Sequence, residues 1–291
     1  MQTALLILLV FSLSAVQAFA QESGNRTYSQ AQRPQLPTTG VVYGNGELII
    51  DGYVLLNAAP DEFIAVFGAA QVGPTAVESN QKVNAQIERF LSDATKLGVV
   101  RGDTFVDFIT QNRVYSFSPP ADGAIRETLS GFETKKNIAI KYKDRALLEK
   151  LLAAASQASI FDLIKVDYVV NDMAKIRSQL FEEAVRVVKH KEDNYVRSLG
   201  MVIKRNALVQ ETYGTYYPSE LYQTYTAFES GAVDPYYGSG SGTRVIRERK
   251  SSTSYLEPLD RSAFDAVLNA ATIEPMVQCT LYMKVSYGVA R

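Results

Sequence analysis

Histidine, cysteine and paired carboxylates are the side chains from which most hydrolytic and metal sites are built, and this chain is poor in the first two. His190 is its one histidine and Cys279 its one cysteine. A catalytic dyad or triad needs an imidazole base held by a third group in a cleft. His190 lies instead within Lys189-His190-Lys191-Glu192-Asp193, the pattern of a solvated helix face. No second histidine or cysteine stands at ligand spacing, which excludes a zinc site of the usual kind. There is no Gly-x-x-x-x-Gly-Lys-Ser/Thr phosphate loop, and Gly44-Asn45-Gly46 precedes a strand, so it reads as a turn and not a dinucleotide fingerprint. No metal or cofactor is expected.

Carboxylates and tyrosines remain. Asp51, Asp61, Asp103, Asp107, Glu182 and Glu183 are the candidates for a glycosidase-like pair. Their ordinary readings are turns, caps and exposed helix faces, with Asp61 after Pro60 a corner residue. The tyrosines are more unusual. Tyr213, Tyr216, Tyr217, Tyr222, Tyr225, Tyr236 and Tyr237 crowd together, and Gly238-Ser239-Gly240-Ser241-Gly242 follows. Tyrosine joins apolar area to a hydroxyl at low entropic cost, so this cluster is the candidate interaction surface, for an envelope protein or a glycan. The bland alternative is a low-complexity loop lying over the body.

The elements that would position these residues follow from periodicity. Leu48–Asn57 and Glu62–Val72 read as strands joined at the Ala59-Pro60-Asp61 corner. A helix opens after Gly73-Pro74-Thr75 with Val83, Ile87, Phe90, Leu91, Ala94 and Leu97 on one stripe, and Gly98 stops it. Strands follow over Thr104–Phe117 and Phe132–Tyr142, broken at Pro119 to Gly123. Asp144 caps a helix with Leu147, Leu148, Leu151, Leu152 and Ala155 inward. Phe161–Val170 reads as a strand.

Met173–Leu199 is the longest helix, with Met173, Ile176, Leu180, Ala184, Val187, Val188, Tyr195 and Leu199 on its stripe. Val202–Glu211 returns as a strand, residues 213–258 read as a loop-like insertion, and Asp260–Ala271 as a short helix. From Val277 the chain alternates strictly, placing Val277, Cys279, Leu281, Met283, Val285 and Tyr287 on one face of a final strand. Cys279 is therefore expected to be a buried, structural thiol. The fold class expected is α+β (mixed α/β), an antiparallel-rich sheet with helices packed on one face.

The head of the chain sets its destination. Ala4 to Val16 is almost wholly apolar and closes on Ala18-Phe19-Ala20, the form of a secretory signal. Residues 1–20 are expected to be a signal peptide and 21–43 a disordered leader, with the exported body in the periplasm or cell envelope. Nothing after the head is apolar for long enough to span a bilayer. The formal net charge of −1, with both signs interspersed, offers no basic field for nucleic acid.

Short motifs add a resemblance. The Gly52 to Asp61 strand ending Ala59-Pro60-Asp61, the Phe63 to Gly68 strand, Leu97-Gly98-Val99 and Asp107-Phe108-Ile109-Thr110 resemble those of SIMPL-domain proteins. So do Ser130-Gly131-Phe132, Phe181-Glu182-Glu183-Ala184, Leu199-Gly200 and Ile273-Glu274-Pro275. The resemblance spans roughly Gly44 to Val289. It implies a compact α/β body in an exported protein, of a family described as periplasmic immunogens or oxidative-stress defence factors, whose members are similar in assembling into rings. It implies no catalytic residue. The chain departs from the family in its glycines before the first strand, reduced to Gly52 or displaced to Gly44 and Gly46, and in the length of its tyrosine-rich excursion.

The leading expectation is thus an exported, non-enzymatic cell-envelope protein that forms a homo-oligomer. The α-helical stripe of 173–199 and the final strand would give a shared core, and Tyr213 to Tyr237 a contact surface. The alternatives are a secreted carboxylate-dependent hydrolase with the tyrosines as a sugar platform, or a module binding small amphipathic or aromatic ligands in an apolar pocket.

Overall fold

The computed structural model describes residues 26–29, 35–118, 126–227, 252–269 and 273–290. The expected signal peptide, the Pro119 to Gly123 break, Tyr236 and Tyr237 lie outside them. In chain order the elements are β1 (Arg26–Ser29), β2 (Val41–Gly44), β3 (Glu47–Ala58), β4 (Glu62–Gly73), α1 (Ala76–Lys96), β5 (Thr104–Ser118) and β6 (Arg126–Tyr142). There follow α2 (Leu147–Gln157), β7 (Asp162–Val169), α3 (Met173–Leu199), β8 (Ile203–Tyr216), α4 (Pro218–Leu221), β9 (Tyr222–Ala227), β10 (Ser252–Leu256), β11 (Ala266–Leu268) and β12 (Val277–Val289). Two compact units result. Residues 32–223 and 256–291 form the larger, and residues 1–31 and 224–255 the smaller, in which β1, β9 and β10 lie side by side.

The larger unit holds two sheets, and each closes its own core. In the first, ordered β5-β6-β4-β7 with every neighbour antiparallel, Phe63, Ala65, Phe67 and Ala69 of β4 turn one way. They meet Val83, Ile87, Phe90 and Ala94 of α1 and Leu151, Ala154 and Ala155 of α2. Phe67 and Phe90 join edge to face with centroids 5.0 Å apart. Thr75 caps α1 by accepting from the Glu78 amide, while the Glu78 carboxylate accepts from the Thr75 hydroxyl.

The second sheet runs β11-β3-β12-β8, with β2 also on β3. Its α3 face buries Leu48, Ile50, Val54 and Leu56 of β3, the alternating Val277, Cys279, Leu281, Met283 and Val285 of β12, and Ile176, Leu180, Ala184, Val187 and Val188 of α3. Gly52 allows this approach, because a Cβ there would stand 3.0 Å from Val188 Cγ2. The opposite face is covered too, at Tyr53 and Leu55, by Leu221, Leu259 and Phe264.

The expected strands at 48–57 and 62–72, the helix from Thr75, the 27-residue α3 and the alternation of β12 all appear. Five expectations are corrected. The leader region contains β1 and β2, and β2 turns into β3 through Asn45 and Gly46 (φ 55° and 80°) as a two-residue hairpin. Strand β8 runs on to Tyr216, so the tyrosine stretch begins as sheet and not as loop; Tyr and Thr are good strand formers, and β12 supplies a partner across the whole length. Residues 260–271 form no α-helix. A 3-10 turn at Arg261–Ala263 leads into β11, which pairs in parallel with Val54–Leu56, a non-local pairing that overrides local helix preference. Tyr195 and Leu199 end the α3 stripe exposed, 39% and 58%, because the helix outruns the sheet. Finally, the α3 stripe and β12 bury each other within one chain and are not a surface for a second.

Candidate interaction surface

Strand β8 places the first tyrosines. In an antiparallel ladder with β12, Tyr213 stands opposite Leu281 and Thr215 opposite Cys279, on the α3 side of the sheet. The Tyr213 hydroxyl donates to Glu211 Oε2 at 3.2 Å, and the Arg177 guanidinium of α3 lies 5.7 Å from the ring centre. Burial, then Glu211, raises its pKa, and Arg177 opposes the shift. Tyr216 points the other way. It packs into the small core around Tyr53, whose hydroxyl pairs with Thr280 and Tyr216.

Tyr217 precedes the single turn of α4 and is 39% exposed. Tyr222, 40% exposed, shares a hydroxyl hydrogen bond with Tyr168 of β7. Tyr225 belongs to the smaller unit, half-buried in β9 opposite Tyr28. The structure thus brings Tyr213 and Tyr216 onto one strand but to opposite faces. Of the five described tyrosines, those in the larger unit divide between inward anchors and outward rings.

Most of the candidate carboxylates have structural partners. Asp61 is the corner predicted, its Oδ2 accepting from the Asn171 amide at 2.8 Å. Glu182 accepts from Ser178, and Glu183 is paired with Arg186. Asp103 pairs with Lys141 at 3.1 Å and Glu62 with Lys143 at 3.7 Å, and these four groups, with Tyr142, line a half-open cavity of about 300 Å³. Asp107 is exposed on β5. His190 is exposed and lies 3.2 Å from Asn194 Nδ2. Among the described residues no group of three or more metal-binding side chains converges.

The polar junction at Asp51 was not foreseen. Between β2 and β11 the edge of β3 has no strand partner, and side chains fill the gap: the Tyr53 amide donates to Asp265 Oδ2 at 2.9 Å, and Lys191 Nζ reaches both the Asp51 carbonyl (2.8 Å) and Asp265 Oδ1 (2.6 Å). The Tyr282 hydroxyl donates to the Asp51 carboxylate. Burial first, and that bond second, push its pKa up to about 12. Asp51 Oδ1 and the Tyr142 hydroxyl are buried without a partner.

The profile of the SIMPL family, described as a protein of unknown function (DUF541), matches residues 48–251. The chain belongs to the SIMPL family. No curated protein matches it. The matched span runs from β3 through α3 and β8 into the tyrosine-rich stretch; it holds the whole of the first sheet and β3 and β8 of the second, while β2 precedes it and β11 and β12 follow it.

In this SIMPL chain the sole thiol is sealed. Cys279 is 1% exposed, and burial raises its pKa against a Thr215 hydrogen bond and the more distant Arg177, a cation that sequence reading did not place near it. A thiol held protonated and out of solvent is a poor nucleophile. What the sequence did not single out is the apolar surface of β5: Phe105, Phe108, Ile109 and Phe117 are 66%, 57%, 46% and 69% exposed. The signal was present in the phenylalanine count of residues 104–118, but only the sheet order shows that among the described residues no strand pairs with their outer edge.

Proposed function

We propose that this SIMPL protein is exported to the cell envelope and works without catalysis, as a self-associating or partner-binding body whose role is stress-related. The single observation that carries the reading is the amount of large apolar side chain left in solvent along the edge strands. On β5 these are four residues at 46–69% exposure, and on β8 they are Leu208 and Val209 at 75% and 50%. Large apolar side chains left in solvent along a sheet edge point to an interaction site. Export is supported by the apolar head closing on Ala18-Phe19-Ala20. No helix among the described residues is long and apolar enough to cross a membrane.

The absence of catalysis is supported by the occupations of five of the six candidate carboxylates: Asp61 holds a corner, Asp51 and Glu182 accept from Tyr282 and Ser178, and Asp103 and Glu183 pair with lysine and arginine. Light scattering on the chain from residue 21 onward tests the reading: an assembly larger than one chain at micromolar concentration is expected, and a strict monomer that captures no envelope component overturns it. Turnover of a glycoside lost in Glu62→Gln or Asp103→Asn would favour a carboxylate-dependent hydrolase working in the cavity of those two residues.

A further inference from the structure

We infer that β5 is the strand through which two copies of this chain pair, edge to edge, about a two-fold axis at Gln111. The inference rests on the self-association reading and assigns its surface. Within its sheet β5 has β6 on one side and, among the described residues, no strand on the other. Its helix-side face is also open: α1 packs on β4 and β6, while Val106, Phe108 and Tyr115 stay 37%, 57% and 44% exposed. β4 ends at Gly73, opposite Phe132. Past that point β5 and β6 continue as a ribbon of two strands bearing Tyr115, Phe117 and Leu129. Two strands alone are marginal in water, so this ribbon gains from acquiring a third.

An edge bulge usually discourages pairing. Here it brings the two halves of β5 into phase. Phe108 stands opposite Lys136 and Thr110 opposite Lys135, which leaves Ile109 as the extra residue. That insertion puts Val106, Phe108, Arg113 and Tyr115 on one face, the face on which Lys136 reaches Asn84 of α1. A second β5, laid antiparallel with Gln111 opposite the Gln111 of its copy and the bulged residue of each strand skipped, sets Val106 against Tyr115, Phe108 against Arg113 and Thr104 against Phe117. All three pairs lie on the same face, and their types are among those that stabilise neighbouring strands. Without the bulge the same register would put the members of each pair on opposite faces. No like charges meet, since Asp107 falls against Val114.

The occupant is a second copy because the strand complements itself and because the exposed area is of the order that a pair of chains buries. Four rings exposed by 44–69% present roughly 450 Å² if a whole aromatic side chain is worth about 200 Å². Val106, Ile109 and Leu129 bring that to roughly 600 Å², about three quarters of the about 800 Å² per partner of a standard interface, with the backbone ladder adding to it.

Disulfide trapping tests the register. Val106 and Tyr115 lie about 30 Å apart along one strand, too far for a bond within one chain. The buried Cys279 gives little background. The doubly substituted chain, Val106→Cys with Tyr115→Cys, is expected to form a covalent dimer under mild oxidation, and the misregistered pair Val106→Cys with Ser116→Cys is not. Assembly in solution without the trapped dimer, or equal trapping by both pairs, overturns this inference and leaves self-association standing. A strict monomer overturns both. As a second measure, Phe105→Ser with Phe117→Ser is expected to weaken association at least 100-fold while leaving the circular dichroism spectrum intact; unchanged association overturns the assignment.

Discussion

Strands β5 and β8 are matched in several ways. Each is the free edge of its sheet, each is 14 or 15 residues long, and each is rich in aromatic side chains. They treat those rings differently. The β8 rings are tyrosines, and the protein uses their hydroxyls: Tyr213 is bonded to Glu211 beneath Arg177, and Tyr216 turns in to meet Tyr53. The β5 rings are mostly phenylalanines, with nothing to bond and no helix above them. A hydroxyl gives a half-exposed ring a reason to stay with its own chain, whereas a bare phenyl in water is best served by another molecule. Density of aromatic residues along a sequence is therefore a poor guide to where a protein makes contact; the polar tip decides.

The largest effect that would break this comparison lies behind β8. Tyr53 is 2% exposed, tilted against Phe264 with ring centres 4.4 Å apart and edge-on to Tyr282 at 5.9 Å. Tyr53→Ala should cost about 3–5 kcal/mol in a urea titration, and a cost below about 1 kcal/mol would mean that the inward tyrosines are not anchors.

Alkaline titration sharpens the distinction next. Burial first, then Asp51 for Tyr282 and Tyr168 for Tyr142, raise both phenols from 10.0 to about 12. A folded-state pKa above the unfolded value means that the stabilisation is whole below pH 10 and is lost as pH climbs from 10 towards 12. Thermal melts across that window should fall steeply in the native chain. They should fall less in the Tyr142→Phe, Tyr282→Phe double variant.

Smaller changes separate a satisfied hydroxyl from an orphan. Tyr222→Phe removes a bond to Tyr168 and should cost about 1 kcal/mol, while Tyr142→Phe removes a buried hydroxyl with no partner and should gain about 1 kcal/mol at neutral pH. Equal signs for the two would show that the Tyr142 hydroxyl has found a partner in solution. Smallest of all, Phe117→Ser should move the unfolding free energy of the isolated chain by less than about 0.5 kcal/mol, as for other surface substitutions.

Much of the fold was legible where the pattern is local. The four-three spacing of Val83, Ile87, Phe90 and Ala94 and the long stripe from Ile176 to Val188 each name a helix and its buried face. The period-two run from Val277 names β12 and the fate of Cys279. What stayed hidden depends on partners distant in sequence. β11 is three residues that become a strand only because Val54–Leu56 lies alongside, and β8 reaches Tyr216 only because β12 does. The candidate surface was half legible for the same reason: residue type marked the tyrosines, but which of them turn inward is set by Tyr53 and Tyr168, on strands far away in the chain. The exposed rings of β5 read as ordinary core until the sheet order left them at an edge.

The lone sulfhydryl under α3 equips the molecule with a clock. Cys279 sits buried near one end of the helix-covered sheet, on the side of the first turns of α3, so a thiol reagent can reach it only when that layer lifts. Its labelling rate in native buffer would time the opening of the second sheet and be silent about the first, letting the durability of each half be followed separately in the intact protein.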